Sequence, residues 1–393
     1  MAGAGCPCSL RLAARWRIVP ILVFLFAFNA SGASLALRGW RIRPMTDRIT
    51  IRKPDDWHLH VRDADMMRTV LPYTAEKFAR AIMMPNLVPP VATSADAVAY
   101  RERLLAALPS GSSFKPLMTC YLTDNTDPDD VERGFKEQVF TGVKLYPAHA
   151  TTNSASGVTD FKKIRRVLER MQRVGVPLLI HAETVDPDVD IFDREAVFIE
   201  RTFEPWTREF PELRFIHEHL SSKIGCDFVR SKSGQVGGTI TPYHLELNRT
   251  DWLGSGNRPY MYCMPVIKTE KDRQALRRAA TSGEECFFLG TDSAPHSIHK
   301  KLAVVGAAGV FNSPVAIETY AKVFDEEGAL DKLEVFASLN GPAHYRLPPN
   351  EGTITLERKP WVTPEEVKVP GPEERVLIYR GGEIAEWRVT QVS

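Results

Sequence analysis

Two histidines at two-residue spacing stand out in the segment Trp57-His-Leu-His-Val-Arg-Asp63. On a β-strand, residues two apart project to the same face, so the imidazoles of His58 and His60 would converge. A pair of neutral imidazoles that converge in this way suits zinc. A half-buried strand with two polar positions gives the same pattern, so the pair alone leaves both interpretations open.

Three further residues with metal-binding side chains come at or just after the ends of short apolar runs: His181, His219 and Asp292. Each also has a structural explanation, because a histidine can close a strand in the core and an aspartate before Ser and Pro forms turns readily. His217 would share a strand face with His219, and the local sequence does not choose between them. A carboxylate at Asp292 could bind a metal and hold the proton of a metal-bound water.

Lys144 ends the run Thr141-Gly-Val-Lys144, which otherwise indicates a buried strand. A buried lysine is costly unless it is neutral, paired or modified, although its stem could instead reach the rim of the fold. A neutral amine can react with carbon dioxide to give a carbamate, whose oxygens could bridge two cations. Together with the four histidines and Asp292, this lysine predicts a centre that holds two metals.

From Ile49 onward, apolar runs alternate with segments of helical periodicity, the order expected of βα units around a parallel sheet. We predict helices over 95–108, 160–174, 193–202 and 271–281. The predicted strands end at His60, Asn86, Leu122, Pro147, Glu183, Leu220, His244 and Ser293. Eight such repeats indicate an α/β fold of the (β/α)8 TIM-barrel type, with its active site at the carboxyl ends of the strands. A doubly wound sheet would place its chemistry at a single switch point.

Residues 1–46 contain six arginines and no acidic residue, with an apolar run from Ile18 to Phe28. We interpret this segment as an organellar leader for mitochondrion or plastid, with a secretory signal as the alternative and a cytoplasmic form starting at Met45 as another. The apolar run is shorter than the roughly 20 residues of a membrane span, so we expect no stable span in the mature chain. Residues 47–348 would form the barrel, and 349–393 a β-like extension packed on it.

The composition is that of a soluble globular protein, with 44% hydrophobic and 25% charged residues and a net charge of +1. Without the arginine-rich leader the chain is mildly acidic, which gives no reason to expect nucleic acid as a partner. The six cysteines include no C-x-x-C pair, so neither a thiolate zinc site nor a disulfide framework is expected.

Longer motifs surround these residues: Pro54 to Asp63, Met84 to Asn86, Lys144 to Pro147, Ala150 to Asn153, Asp190 to Glu195 and Gly290 to His296. In these motifs the chain closely resembles the bacterial-type and plant-type dihydroorotases of the amidohydrolase superfamily, from about Ile49 to the C-terminus. It departs from that family in the loop between His299 and Phe311, where Leu302 and Ala303 replace polar residues, and at His149.

The resemblance implies two zinc ions per chain, bridged by a hydroxide and by Lys144 as N6-carboxylysine. It places the metal ligands at His58, His60, Lys144, His181, His219 and Asp292, and so assigns the role to His219 and not to His217. Asp292 would also be the catalytic acid and base. The implied substrate contacts are Arg62, Asn86, Thr151, Thr152, Met264, His296 and Ala308, of which the two threonines belong to a mobile loop that closes over the substrate.

The implied reaction is the zinc-dependent, reversible cyclisation of N-carbamoyl-L-aspartate to L-dihydroorotate plus water, the third step of de novo pyrimidine (UMP) biosynthesis. Arg62, Asn86 and His296 favour this substrate, because a neutral hydantoin ring needs no cluster that binds carboxylates. A hydantoinase-like or allantoinase-like cyclic amidase is the alternative, since it would share the metal ligands. A catalytically silent scaffold is a further alternative, although such relatives typically lose ligands. The family also implies a homodimer.

Overall fold

The computed structural model describes residues 46–254, 256–371 and 374–393. The predicted leader therefore lies, except for its last residue, outside the described residues, and so does the alternative start at Met45. No helix in the described ranges is long and apolar enough to cross a membrane.

Thirteen strands form within the described ranges: β1 (Arg48–Arg52), β2 (Asp55–Leu59), β3 (Arg80–Met83), β4 (Lys115–Leu122), β5 (Gly142–Leu145), β6 (Leu178–Ile180), β7 (Phe215–His217), β8 (Val236–Ile240), β9 (Phe287–Leu289), β10 (Thr353–Val362), β11 (Glu366–Lys368), β12 (Arg375–Leu377) and β13 (Ile384–Val392). Strands β2 to β9 pair in sequence order, all parallel, in one eight-stranded sheet. Their residues are almost all buried, as expected of a sheet that is covered on both faces.

Main-chain hydrogen bonds join the loop after the last barrel strand to the first strand. The amide of Asp292 donates to the carbonyl of His58 at 2.8 Å, and the amide of His60 donates to the carbonyl of Ser293 at 3.0 Å. These bonds bring the ends of β9 and β2 together, so the sheet curves into a nearly closed barrel. The predicted (β/α)8 barrel is confirmed.

Helices alternate with the barrel strands: α1 (Ala64–Lys77), α2 (Ser94–Ala107), α3 (Pro128–Lys136), α4 (Arg165–Val174), α5 (Arg194–Phe198), α6 (Glu204–Glu209), α7 (Lys223–Ser231), α8 (Pro242–Glu246), α9 (Arg249–Leu253), α10 (Glu270–Ala280), α11 (Ile298–Lys301), α12 (Ala316–Glu326) and α13 (Asn340–Tyr345). Local sequence explains several of their ends. Capping boxes at Thr93 and Thr269 begin α2 and α10, and Gly175, with φ of 82°, ends α4. A π-helical segment, Ile199–Phe203, joins α5 to α6.

One predicted strand end lies in a helix. Strand β8 ends at Ile240, and His244 lies inside α8. Thr241 caps that helix by accepting a hydrogen bond from the amide of His244, and Pro242 occupies the first turn, where it needs no amide donor. Most other barrel strands end one to four residues before the predicted positions. His60, His181, His219 and Asp292 therefore lie just beyond their strands, whereas His58 and Lys144 lie within β2 and β5.

The C-terminal part forms two small antiparallel sheets, one of which takes in the first strand of the described chain. Strand β10 lies between β1 and β13, and Ile354 pairs with both Ile51 and Val392. Strands β11 and β12 form the second sheet. Arg358 on β10 contacts Asp325 on α12 at 2.7 Å, which attaches the larger sheet to the outer helices of the barrel.

Candidate active site

Three buried side chains at the junction of β2 and β9 form a group suited to a metal ion. The Nε2 atoms of His58 and His60 are 3.2 Å apart, and Oδ1 of Asp292 lies 3.4 Å and 3.3 Å from them. Burial, and then neighbouring positive charge, lowers the pKa of His58 well below its usual value; burial also lowers the pKa of His60. Neutral imidazoles have free lone pairs, so this group offers the donors that zinc prefers.

A second pair of donors comes from the residues that follow β6 and β7. Nδ1 of His181 and Nε2 of His219 are 3.1 Å apart, and the ring of His219 lies 5.0 Å from that of His58. Burial lowers the pKa of His219 well below its usual value, so it too presents a neutral ring. The alternative ligand, His217, turns away from this site, and its Nε2 lies 3.1 Å from Glu195.

Lys144 is fully buried beside these groups, and its Nζ has no hydrogen-bond partner among the described residues. Burial lowers its pKa to about 8, against the opposing attraction of Glu218 and Asp292. An ammonium group in this position would be costly, whereas a neutral or modified amine fits.

Two buried carboxylates contact ring nitrogens of His58 and His181. Glu218 Oε2 lies 2.6 Å from Nδ1 of His58, and Glu183 Oε2 lies 2.9 Å from Nε2 of His181. Such partners fix the tautomer and ring orientation of a metal-binding histidine. Neither residue is marked by a local sequence pattern, although Glu218 directly precedes His219 and Glu183 closes the fifth predicted strand.

The hydroxyl of Tyr243 donates a hydrogen bond to Oδ2 of Asp292 at 2.5 Å. Burial alone would raise the pKa of Asp292, but His58, His60 and this hydroxyl outweigh it and lower the pKa. Burial raises the pKa of Tyr243 well above its usual value, so the phenol stays a donor. Asp292 is therefore held as an ionised carboxylate.

Several functional positions adopt the left-handed backbone conformation that ordinary residues avoid. The φ angles are 63° at Arg62, 41° at His219 and 44° at Asp292. Non-glycine residues in this region store strain, and such strain concentrates at functional sites. Here it turns the chain sharply after β2, β7 and β9, so that each side chain faces the cavity.

A small cavity lies above the metal-binding groups. Its lining comprises His58, His60, Arg62, Asn86, Tyr146, Thr151, Thr152, His181, His219, Met264, Asp292, Ala294, Ala308 and Gly309. Predicted ligands and substrate contacts thus meet at one place, except that Lys144 is buried out of the lining and His296 borders an adjoining outer cleft. Arg62 Nη2 joins the two spaces, because it lies 2.8 Å from Nε2 of His296.

The loop that contains Thr151 and Thr152, here called the threonine loop, is folded over this cavity. Nδ2 of Asn86 donates to the carbonyl of Thr152 at 3.1 Å, and Nδ2 of Asn153 donates back to the carbonyl of Asn86 at 3.0 Å. The Thr152 hydroxyl donates to the carbonyl of Ala308 at 3.2 Å. The loop is therefore tied to the rim on two sides.

A buried ionic cluster of Glu195, His217, Ser221 and Lys268 lies behind the second donor pair. Glu195 accepts hydrogen bonds from the Ser221 hydroxyl at 2.7 Å and the Ser221 amide at 3.2 Å. Lys268 Nζ donates to the Ser221 hydroxyl at 2.6 Å and lies 3.7 Å from Glu195. The cluster links α5, the end of β7 and the segment that follows Met264.

Comparison with known proteins identifies the family. The Amidohydrolase family model matches residues 55–364. A dihydroorotase of Novosphingobium aromaticivorans is 56% identical over 88% of this chain and 99% of its own length, and one of Yersinia enterocolitica is 51% identical with the same coverage. The chain belongs to the dihydroorotases of the amidohydrolase family.

Solved dihydroorotase structures agree with this family. The crystal structure from Campylobacter jejuni is 33% identical and has a TM-score of 0.81 over 89% of this chain and 99% of its own. An L-hydantoinase from Arthrobacter aurescens has a TM-score of 0.69 over 88% of this chain and 89% of its own, at 14% identity, which shows only a shared fold. The dihydroorotase family predicted from the sequence motifs is thus confirmed, and the hydantoinase-like alternative is supported by the fold alone.

Proposed function

We propose that this chain catalyses the reversible conversion of L-dihydroorotate and water into N-carbamoyl-L-aspartate, the third step of pyrimidine biosynthesis. The observation that carries the proposal is that Arg62, Asn86 and His296 lie beside the histidine–aspartate group. Arg62 and His296 are 2.8 Å apart, and Asn86 lies in the same cavity lining as Arg62. The carboxylate on the dihydroorotate ring would pair with the positive charge of Arg62 there, whereas a neutral hydantoin has no carboxylate to do so. The dihydroorotases that resemble this chain over nearly their whole lengths support the same substrate.

We further propose that each chain holds two zinc ions, one at His58, His60 and Asp292 and one at His181 and His219. Lys144, carboxylated at Nζ, would supply an oxygen to each. Its buried Nζ has no hydrogen-bond partner within residues 46–254, 256–371 and 374–393. This environment fits the modification, because the neutral amine can attack carbon dioxide, form an N–C bond and release a proton. Bound zinc supplies Lewis acidity and an activated water.

The residues of the chain then have separate tasks. Arg62, Asn86 and His296 bind the substrate carboxylate and orient the ring. Asp292, as a carboxylate, accepts the proton of the attacking water and returns it to the ring nitrogen as the C–N bond breaks. In the cyclisation direction the Asp292 carboxylate takes a proton from that nitrogen and donates it to the hydroxyl group that leaves as water.

The threonine loop completes the site. Thr151 and Thr152 line the cavity, and the bonds of Thr152 to Asn86 and Ala308 hold the loop down over it. A loop in this position excludes bulk water and adds hydroxyl donors for an open-chain dianion. The main chain of Met264 and Ala308 borders the same space and would contact the substrate.

A spectrophotometric assay of dihydroorotate, combined with zinc analysis, tests the proposal. We expect turnover of dihydroorotate and about two zinc ions per chain. Lys144→Ala should lose both zinc and activity, and added acetate should restore part of each if the missing group is a carboxylate. Lys163→Ala, which changes an exposed lysine, is the control. Turnover of hydantoin without dihydroorotate, or full activity of Lys144→Ala, would contradict the proposal.

We also propose that residues 1–46 direct the chain to an organelle and that the mature protein is a homodimer. The support for the leader is its six arginines, the lack of acidic residues and the short apolar run. Fractionation of a chain tagged at its C-terminus tests the leader, and a purely cytosolic product would contradict it. Light scattering of the purified protein tests the dimer.

A further inference from the structure

Tyr243 is fully buried, and its hydroxyl reaches the one carboxylate that the proposed reaction uses for proton transfer. The hydroxyl lies 2.5 Å from Oδ2 of Asp292, whereas Oδ1 lies within 3.4 Å of His58 and His60. The two oxygens of the carboxylate thus have different partners. One is held by the phenol, and the other faces the metal-binding imidazoles.

The short helix α8 holds the tyrosine in place from both ends. At its start, Thr241 caps the helix, and its hydroxyl lies 2.9 Å from Nδ1 of His244. At its end, Glu246 accepts hydrogen bonds from Lys322 Nζ at 2.6 Å and from the hydroxyl of Tyr379 at 2.9 Å. The helix is therefore fixed to α12 and to the C-terminal extension, so the phenol has little freedom to move.

Packing also restricts the aromatic ring. Tyr243 belongs to a buried cluster that includes Met261, Val310, Val315 and Tyr379. A phenylalanine would fill the same space, so the packing by itself does not require a hydroxyl. The hydroxyl is used in hydrogen bonding, to the carboxylate of Asp292 at 2.5 Å and also to the side chain of Thr241.

We propose that Tyr243 is a positioning residue for proton transfer, because its hydroxyl fixes the plane of the Asp292 carboxylate and keeps Oδ1 turned towards His58 and His60. The inference rests on the proposed function, in which Asp292 carries the proton between water and the ring nitrogen. Without the phenol, rotation about the Cβ–Cγ bond would move the oxygens away from the reacting atoms. Substrate binding, which depends on Arg62 and its neighbours, would be unaffected.

The test is Tyr243→Phe in the zinc-loaded, full-length protein. We expect kcat to fall about tenfold to hundredfold, the range for the loss of one hydrogen bond to a charged group. KM should change less than about twofold, zinc content should equal that of the parent, and a crystal structure should show the carboxylate of Asp292 rotated. Tyr345→Phe is the matched control, because it removes a buried hydroxyl that has no hydrogen-bond partner among the described residues.

A parental kcat in Tyr243→Phe would overturn the inference. So would a loss of activity that accompanies loss of zinc while Asp292 keeps its orientation, since that result indicates a merely structural role. The crystal structure separates this inference from the proposed function. If the parent did not turn over dihydroorotate, the proposed function would fail, and an unrotated Asp292 in the variant would still overturn the positioning role.

Discussion

Replacement of Glu195 by glutamine tests the buried ionic cluster behind the second donor pair. Glu195 is fully buried, and within the described residues it is the acidic group closest to Lys268, which is itself only 5% exposed. The substitution keeps the size of the side chain and removes its charge. Lys268 would then remain buried with the Ser221 hydroxyl, 2.6 Å away, as its nearest partner.

The structure sets the size of the expected effect. Removal of one partner of a buried ion pair costs roughly 3–5 kcal/mol, because the other charge is left uncompensated. Glutamine still accepts a hydrogen bond from the Ser221 amide, so we expect Glu195→Gln to lower the free energy of unfolding by about 3 kcal/mol, the lower end of that range. Lys268→Met in the same background removes the orphaned cation and should recover at least about 1.5 kcal/mol.

The dependence on pH gives a second measure of the same interaction. Burial would raise the pKa of Glu195, but Lys268 and His217 outweigh it and lower the pKa below its usual value. The stabilisation by the carboxylate is therefore present above the unfolded-state pKa of about 4.3 and is lost as the pH falls below that value. The difference in the free energy of unfolding between the parent and Glu195→Gln should therefore decrease as the pH falls below about 4.3.

Urea unfolding of the zinc-loaded proteins, followed by circular dichroism, measures all four members of the double-mutant cycle. The exposed pair of Arg230 and Glu284, 2.8 Å apart, supplies the control, and Glu284→Gln should change stability by less than about 1 kcal/mol. The reasoning is refuted if Glu195→Gln is as harmless as Glu284→Gln, or if Lys268→Met fails to recover stability in the glutamine background.

Three further predictions concern the site itself. Glu218→Gln weakens the orientation of His58 and should lower zinc affinity about tenfold to hundredfold in competition with a chelator; unchanged affinity would contradict the role of Glu218. Arg62→Met should lower kcat/KM for dihydroorotate about hundredfold while zinc content stays constant, and a loss of zinc would point instead to a structural role. Thr152→Val removes the bond to Ala308 and should raise KM for N-carbamoyl-L-aspartate about fivefold, with Thr159→Val as the control in steady-state assays.

The local periodicities of the sequence predicted the barrel, and in the structure His58, His60 and Asp292 do lie together at one face of it. The convergence of His58 and His60 could be predicted from the two-residue period of a strand alone. Strand ends were less predictable, because Thr241 and Pro242 begin a helix directly after the strand, and the apolar residues Tyr243 and Leu245 of that helix resemble a continuation of the strand. The seventh strand was therefore extended too far.

Interactions between distant residues could not be predicted from one sequence. Glu218 contacts His58 across 160 positions, and Tyr243 contacts Asp292 across 49. No local pattern marks either pair, since each depends on which strand ends meet once the barrel has formed. For the same reason the strand period alone did not distinguish His217 from His219. In the folded protein His217 contacts the buried Glu195 and turns away from the metal-binding groups.

The three-stranded sheet of β1, β10 and β13 has a consequence for synthesis of the protein. Ile51 precedes all eight barrel strands in the chain, but its strand partner, Ile354, leaves the ribosome only after all of them. During translation the segment around β1 must therefore wait, unpaired, while more than 300 residues are made. Strands β10 and β13 therefore complete this sheet last. A nascent chain released before β10 would leave β1 as an unpaired strand edge, which chaperones or aggregating chains could bind.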